Sequence, residues 1–113
     1  MQNLPSIAGY TVYPTSLSRF YSATKFAVRA ITEGLRQEMR EEKSHIRISS
    51  VSPALVETQF AYRAFKDPER AKNLYSSVES VKPEDVAASV LHIITSPAHV
   101  EINDIIIRPT EQL

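Results

Sequence analysis

The sequence predicts an α/β chain: part of an open parallel sheet with helices packed over it. Three observations carry that prediction. Residues 18–42 place Ala23, Phe26, Ala27, Ala30, Ile31, Gly34, Leu35 and Met39 at three- and four-residue steps, the period of a helix. Two short apolar, β-branched runs, 46–52 and 104–108, read as strands, and the second is typical of a parallel strand covered on both faces. Between them Lys82-Pro83-Glu84-Asp85 opens another helix, with proline suited to its first position and two acids to its positive end.

Composition bounds the rest. A chain of 113 residues makes one domain at most. At 42% apolar and 23% charged it is globular in character rather than disordered. Its 13 basic and 13 acidic residues cancel, which removes any electrostatic case for nucleic acid or an anionic membrane as partner. There is no cysteine, hence no disulfide framework and no thiolate ligand. His45, His92 and His99 show no metal-binding spacing, so no metal site is expected. No apolar run approaches the ~20 residues of a membrane span. Met1-Gln2-Asn3-Leu4-Pro5 lacks the charged and apolar regions of a signal peptide, and the expectation is a soluble, cytoplasmic protein.

Taken in order, residues 1–20 form an entry segment in which Pro5 disfavours a central strand and Pro14, Thr15 and Ser16 mark a loop. The helix over 18–42 has a broad apolar arc, as expected of a helix covered on two sides. It ends in a charged run, 36–43, whose mixed signs read as a solvated face. The strand over 46–52, with Ile46, Ile48 and Val51, stops at Pro53. Ligands of open α/β sheets sit outside the carboxyl ends of strands, which puts 53–58 where a ligand would lie. Residues 59–80 mix Phe60, Tyr62, Phe65, Leu74 and Tyr75 with Asp67-Pro68-Glu69-Arg70 and predict one or two short helices. The helix from Pro83 buries Val86, Ala87, Val90, Leu91 and Ile94 and ends at Ser96-Pro97.

The chemistry centres on Tyr21-Ser22-Ala23-Thr24-Lys25. Side chains four apart on a helix share a face, one turn apart. An isolated tyrosine titrates near ~10 and is a poor proton donor or acceptor at neutral pH. A cation fixed beside it stabilises the phenolate and makes it useful for proton transfer to a carbonyl oxygen. The same spacing also arises by chance as a helix residue beside a solvated lysine, so context decides. The context is Ser6-Ile7-Ala8-Gly9 ahead of the pair, then Ser52-Pro53-Ala54 and Val56-Glu57-Thr58 after the first strand.

These pieces together resemble the short-chain dehydrogenase/reductase family: Ser6-x-Ala8-Gly9, Tyr21-x-x-x-Lys25, Ser52-Pro53-Ala54-x-Val56-x-Thr58 and Lys82-Pro83-Glu84-Asp85-Val86-Ala87. The closing Arg108-Pro109-Thr110-Glu111-Gln112 resembles one branch, whose members reduce ketosteroids and other carbonyl compounds with NADPH. The resemblance runs from Ser6 onward and covers the second half of the family's domain. It implies that residues 1–113 are the C-terminal portion of a Rossmann-type, doubly wound parallel sheet. It further implies Ser6, Tyr21 and Lys25 as catalytic residues. Tyr21 would protonate the substrate oxygen, Lys25 would ease that transfer and grip the nicotinamide ribose, and Ser6 would orient the carbonyl. Tyr21, Lys25, Pro53, Val56 and Thr58 would contact the cofactor, NADP(H) rather than NAD by resemblance, with NAD left open. Phe60, Tyr62 and Phe65 would line an apolar substrate pocket, although core or interface packing explains those aromatics equally well. The helix over 18–42 would join copies of the chain into a homo-oligomer. Family members usually carry glycine where this chain has Ala54; if that position needs a positive φ, alanine costs about 1 kcal/mol.

One count limits the activity. The only glycines, Gly9 and Gly34, lie 25 residues apart, whereas a phosphate-cradling turn needs three close together after a strand. The dinucleotide-binding half is therefore absent from this sequence, and the isolated chain is not expected to be a competent enzyme. A truncated, inactive fragment and an interaction protein that joins an intact homologue are the alternatives.

Overall fold

The computed structural model describes Gly9, residues 16–56 and residues 59–112. Six elements follow one another: α1 (Ser16–Glu41), β1 (Ser50–Pro53), α2 (Phe60–Phe65), α3 (Pro68–Ser76), α4 (Pro83–Thr95) and β2 (Asp104–Ile107). The predicted α/β class holds, with two short helices between β1 and α4.

β1 and β2 pair in parallel, with Ser50 opposite Asp104, Val51 opposite Ile105, Ser52 opposite Ile106 and Pro53 opposite Ile107. Bonds that involve residues flanking the strands extend the ladder: Ser50 N donates to Asn103 O at 3.1 Å and Ala54 N to Ile107 O at 2.7 Å. Pro53 is tolerated as the last residue because the next ladder donor is Ala54 N. The strand is shorter than the 46–52 predicted. Its apolar residues fit a strand, but long-range polar partners claim the backbone before Ser50. The Ile48 amide donates to the Glu101 carboxylate at 3.0 Å. The Arg47 guanidinium reaches the carbonyl oxygens of Ser96, Pro97 and Val100 at 3.0, 3.1 and 2.8 Å. Arg47 thereby ties β1's approach to the carbonyls just beyond the end of α4.

α1 ends in a left-handed cap at Lys43 (φ 54°), where the amides of Lys43 and Ser44 return to Arg40 O and Met39 O at 3.0 and 2.9 Å. On its surface Glu33 accepts from Arg36 at 2.7 Å and from Gln37 at 2.8 Å. The Arg36 bond, then the Gln37 bond, holds the Glu33 carboxyl down to about 2. At the start of β2 burial pushes the Asp104 carboxyl up, while the Ser50 hydroxyl donates to it at 2.7 Å.

The best-buried apolar cluster is small and local. Ala61, Ala71 and Tyr75 form it, with Leu55, Phe65 and Leu74 packed against them. Two residues join α2 to α3. Lys66 takes the left-handed conformation (φ 52°), and Asp67 caps α3 by accepting from the amides of Glu69 and Arg70 at 3.1 and 3.2 Å. α4 opens as predicted, with Pro83 at its start and the Lys82 amide donating to the Asp85 carboxylate at 2.8 Å.

The long helices depart from expectation. The predicted stripe of α4 is not buried: Val86 and Val90 are half-covered, and Ala87, Leu91 and Ile94 face solvent. α1 half-buries Val28, Thr32 and Met39, yet its opposite side leaves Phe20 78% and Ile31 69% exposed. A two-stranded sheet offers too little surface to cover either helix. The radius of gyration, 15.8 Å, exceeds the roughly 13 Å of a compact chain near this length.

Candidate active site

α1 carries the pair that the spacing singled out. Tyr21 and Lys25 share one face, and the Lys25 Nζ lies 5.3 Å from the centroid of the Tyr21 ring. That is cation–π distance, so the ammonium is held beside the phenol. Tyr21 is 38% exposed and Lys25 half-buried, which leaves the tyrosine open to a reactant. Two hydroxyl residues frame the pair. Ser22 is 1% exposed and turns inward, while Thr24 donates to Tyr21 O at 2.6 Å.

Gly9 is the one described residue ahead of α1, and it is buried against the same turn. A Cβ built on it would stand 3.0 Å from the Lys25 carbonyl oxygen. Ser6 and Thr58 lie outside the described residues.

Pro53 and Val56 sit on a different element, at the exit of β1. Pro53 stands opposite Ile107, and Val56 bridges to Val81 in parallel, so both line the carboxyl end of the sheet. Ala54, between them, is not among the non-glycine residues with positive φ, which among the described residues are Lys43 and Lys66. The strain conditionally expected at Ala54 does not arise.

The three aromatics expected to line a pocket divide. Phe60 opens α2, and its side chain lies outside what is described. Tyr62 is 40% exposed, its ring 5.8 Å from that of Tyr75. Phe65 packs on the cluster of Ala61, Ala71 and Tyr75, with the Arg70 guanidinium 4.2 Å from its ring. Of the two described, Tyr62 faces outward and Phe65 is engaged in packing.

Two features escaped sequence reasoning. One is the buried Tyr75, whose hydroxyl accepts from the Ala61 amide at 3.2 Å. The other is a pocket of about 310 Å³ beyond the carboxyl end of β2, lined by Ser80, Val81, Asp85, Arg108, Pro109 and Thr110 among others. The rule that crevices open outside the carboxyl ends of strands pointed there, once 104–108 was read as a strand. Among the described residues no helix is long and apolar enough to cross a membrane, and no group of three acids or histidines could hold a metal.

Comparison with known proteins decides the family. A model described as short chain dehydrogenase matches residues 3–69. The chain belongs to the short-chain dehydrogenase family. It is 53% identical over 112 residues to human dehydrogenase/reductase SDR family member 11, covering 98% of this chain and 43% of that protein. An uncharacterized oxidoreductase of Staphylococcus aureus is 40% identical over 107 residues, covering 95% of this chain and 41% of its own length. Among solved structures, the closed form of a serine dehydrogenase complexed with NADP+ superposes with a TM-score of 0.85 at 34% identity, over 96% of this chain and 43% of that one. This short-chain dehydrogenase chain therefore spans about two-fifths of the length of the relatives it matches, and its fold is the C-terminal portion of theirs.

Proposed function

We propose that residues 1–113 form the catalytic portion of a nicotinamide-dependent oxidoreductase that interconverts a carbonyl compound and its alcohol, with NADP(H) as cofactor and ketosteroids among its substrates. The observation that carries the reading is the accessible Tyr21 phenol with the Lys25 ammonium 5.3 Å from its ring centroid. A bound nicotinamide supplies or accepts the hydride. The chain's own residues then handle the oxygen: Tyr21 gives its proton to the carbonyl oxygen, and Lys25 offsets the charge left on the phenolate. Ser6 would hold that oxygen in place. Lys25 and Tyr21 would also meet the nicotinamide ribose, with Pro53, Val56 and Thr58 along its carboxamide side. The residues present suit that use, since Pro53 and Val56 line the carboxyl end of a parallel pair. The serine dehydrogenase complex with NADP+ supports a nicotinamide dinucleotide as cofactor, with NADP the expected form and NAD left open. Tyr62, exposed with its ring tilted against that of Tyr75, is the aromatic best placed to meet substrate; Phe60 and Phe65 have weaker claims. A cytoplasmic setting and a homo-oligomer joined through the outer face of α1 complete the proposal.

A second reading has its own observation. The apolar side of α1 is open, with Ile31 69% exposed, and suits attachment to another chain of the same family. On that reading the 113 residues are a catalytically silent partner.

One experiment separates the two. The segment is joined behind a complete dinucleotide-binding half, and NADPH-dependent reduction of a steroid ketone is followed. Tyr21→Phe is expected to lower kcat by at least about 100-fold while NADPH fluorescence titrations stay near those of the parent, because the hydroxyl acts in the transition state. Lys25→Ala is expected to weaken both. Equal turnover by Tyr21→Phe and the parent would rule out the proton-transfer role and leave the silent partner.

A further inference from the structure

Glycine is usually required where φ is positive, yet neither described glycine has a positive φ. Gly9 is needed for space. A Cβ there would lie 3.0 Å from the Lys25 carbonyl oxygen, 3.3 Å from its carbonyl carbon and 3.6 Å from its Cβ. Even favourable carbon–oxygen contacts begin near ~3.3 Å, so a side chain at residue 9 must displace something. The Lys25 carbonyl has little room to retreat. It lies inside the 26-residue α1, where each interior carbonyl accepts from the amide four residues on. Gly34, on the same helix, provides the contrast, with nothing within 4 Å of the Cβ built on it.

We propose that Gly9 is a positioning residue for the Tyr21–Lys25 pair: the absence of a side chain lets the backbone at residue 9 press directly on Lys25, and that contact fixes where the Lys25 ammonium stands beside the Tyr21 ring. The catalytic meaning of this contact rests on the function proposed above, but the contact itself is testable without cofactor or substrate. Lys25 sits at ring-contact distance from Tyr21. Its ε-methylene protons therefore report the geometry through the ring-current shift that Tyr21 imposes.

The test is an NMR comparison of the full chain with Gly9→Ala, Gly34→Ala and the double variant. Tyr62 and Tyr75, whose rings meet at 5.8 Å, report on folding elsewhere. In Gly9→Ala the Lys25 ε-methylene signals are expected to lose their ring-current shift and move toward those of free lysine, while Tyr62 and Tyr75 keep their positions. Gly34→Ala should move neither set and should raise helix stability, since alanine is the better helix former. The double variant carries that gain, so it stays readable if Gly9→Ala alone is poorly folded. Unshifted Lys25 signals in a folded Gly9→Ala chain overturn the assignment. So does simultaneous loss of the Lys25, Tyr62 and Tyr75 signals in both Gly9 variants, which would make residue 9 a general packing position. Active Tyr21→Phe would instead overturn the catalytic reading and leave the Gly9 contact standing.

Discussion

The shortest helices of the chain are its best-buried, and the longest are its most exposed. α2 and α3 total only 15 residues. Yet between them lie Ala61 and Ala71 at near-zero exposure and a Tyr75 whose hydroxyl takes up the Ala61 amide. α1 and α4 are long and apolar on one side, and that side stays open at Phe20, Ile31, Leu91 and Ile94. Length is not what buries a helix. The hairpin covers itself because a two-residue link folds α3 back on α2, bringing Ala71 and Tyr75 onto Ala61. The long helices need a wide sheet, and β1 with β2 supplies two strands. A parallel pair is stable when both faces are covered, and here only two strands face two long helices. The chain thus combines a closed helical hairpin with an open scaffold.

The largest expected effect tests whether the hairpin stands by itself. Tyr75→Ala removes the ring beneath Tyr62 and leaves the Ala61 amide without its acceptor. A loss of about 3 kcal/mol is expected. It should appear as faster amide exchange across residues 60–76, with α4 and the strands little changed. Tyr75→Phe keeps the ring and isolates the hydroxyl, at about 1 kcal/mol. Uniform loss of protection over the whole chain would break the contrast and make the hairpin part of a single cooperative unit.

The open region calls for the opposite kind of change. Ile31 is 69% exposed on α1, so Ile31→Glu should alter monomer stability by no more than about 0.5 kcal/mol. Self-association should fall by about tenfold or more, equivalent to ~1.4 kcal/mol, because a charge then occupies the middle of the apolar face. Sedimentation velocity across a concentration series reads this directly. An unchanged sedimentation profile would mean that this face joins nothing in solution.

The same division explains what could be read in the sequence. Everything set by local chemistry was legible. The three- and four-residue steps predicted a helix over 18–42 and the structure gives Ser16–Glu41; Lys82-Pro83-Glu84-Asp85 predicted the start of α4 at Pro83. Tyr21 and Lys25 met because the helix period alone brings them together. What failed depends on residues far apart in the chain. Ile46 and Ile48 spell a strand, but Arg47 and the Ile48 amide are claimed by residues 96–101, about fifty positions on. The apolar period of α4 predicted burial without saying whether anything would be there to provide it. That Phe65 packs inward while Tyr62 stays open depends on where α3 folds back on α2, which no periodicity announces. The approach of Gly9 to Lys25 joins positions 16 apart in the sequence, and no helical or strand period links them.

The smallest effect sharpens the comparison most, because it has the same chemistry in both regions. Lys66 closes α2 at φ 52° and ψ 24°, and Lys43 closes α1 at φ 54°. A side chain in the left-handed region costs about 1 kcal/mol, because Cβ crowds the following carbonyl oxygen. Glycine carries no such penalty, though it gives back part of the gain through the greater freedom of the unfolded chain. Lys66→Gly and Lys43→Gly should therefore each stabilise by about 0.5 kcal/mol, a sign opposite to that of most substitutions. Both lysine side chains are exposed, so little packing is lost with either. If the hairpin and the scaffold fold as separate units, Lys66→Gly should slow exchange only over residues 60–76 and Lys43→Gly only over α1. Each substitution protecting the other's region would show that the two units, however differently buried, melt together.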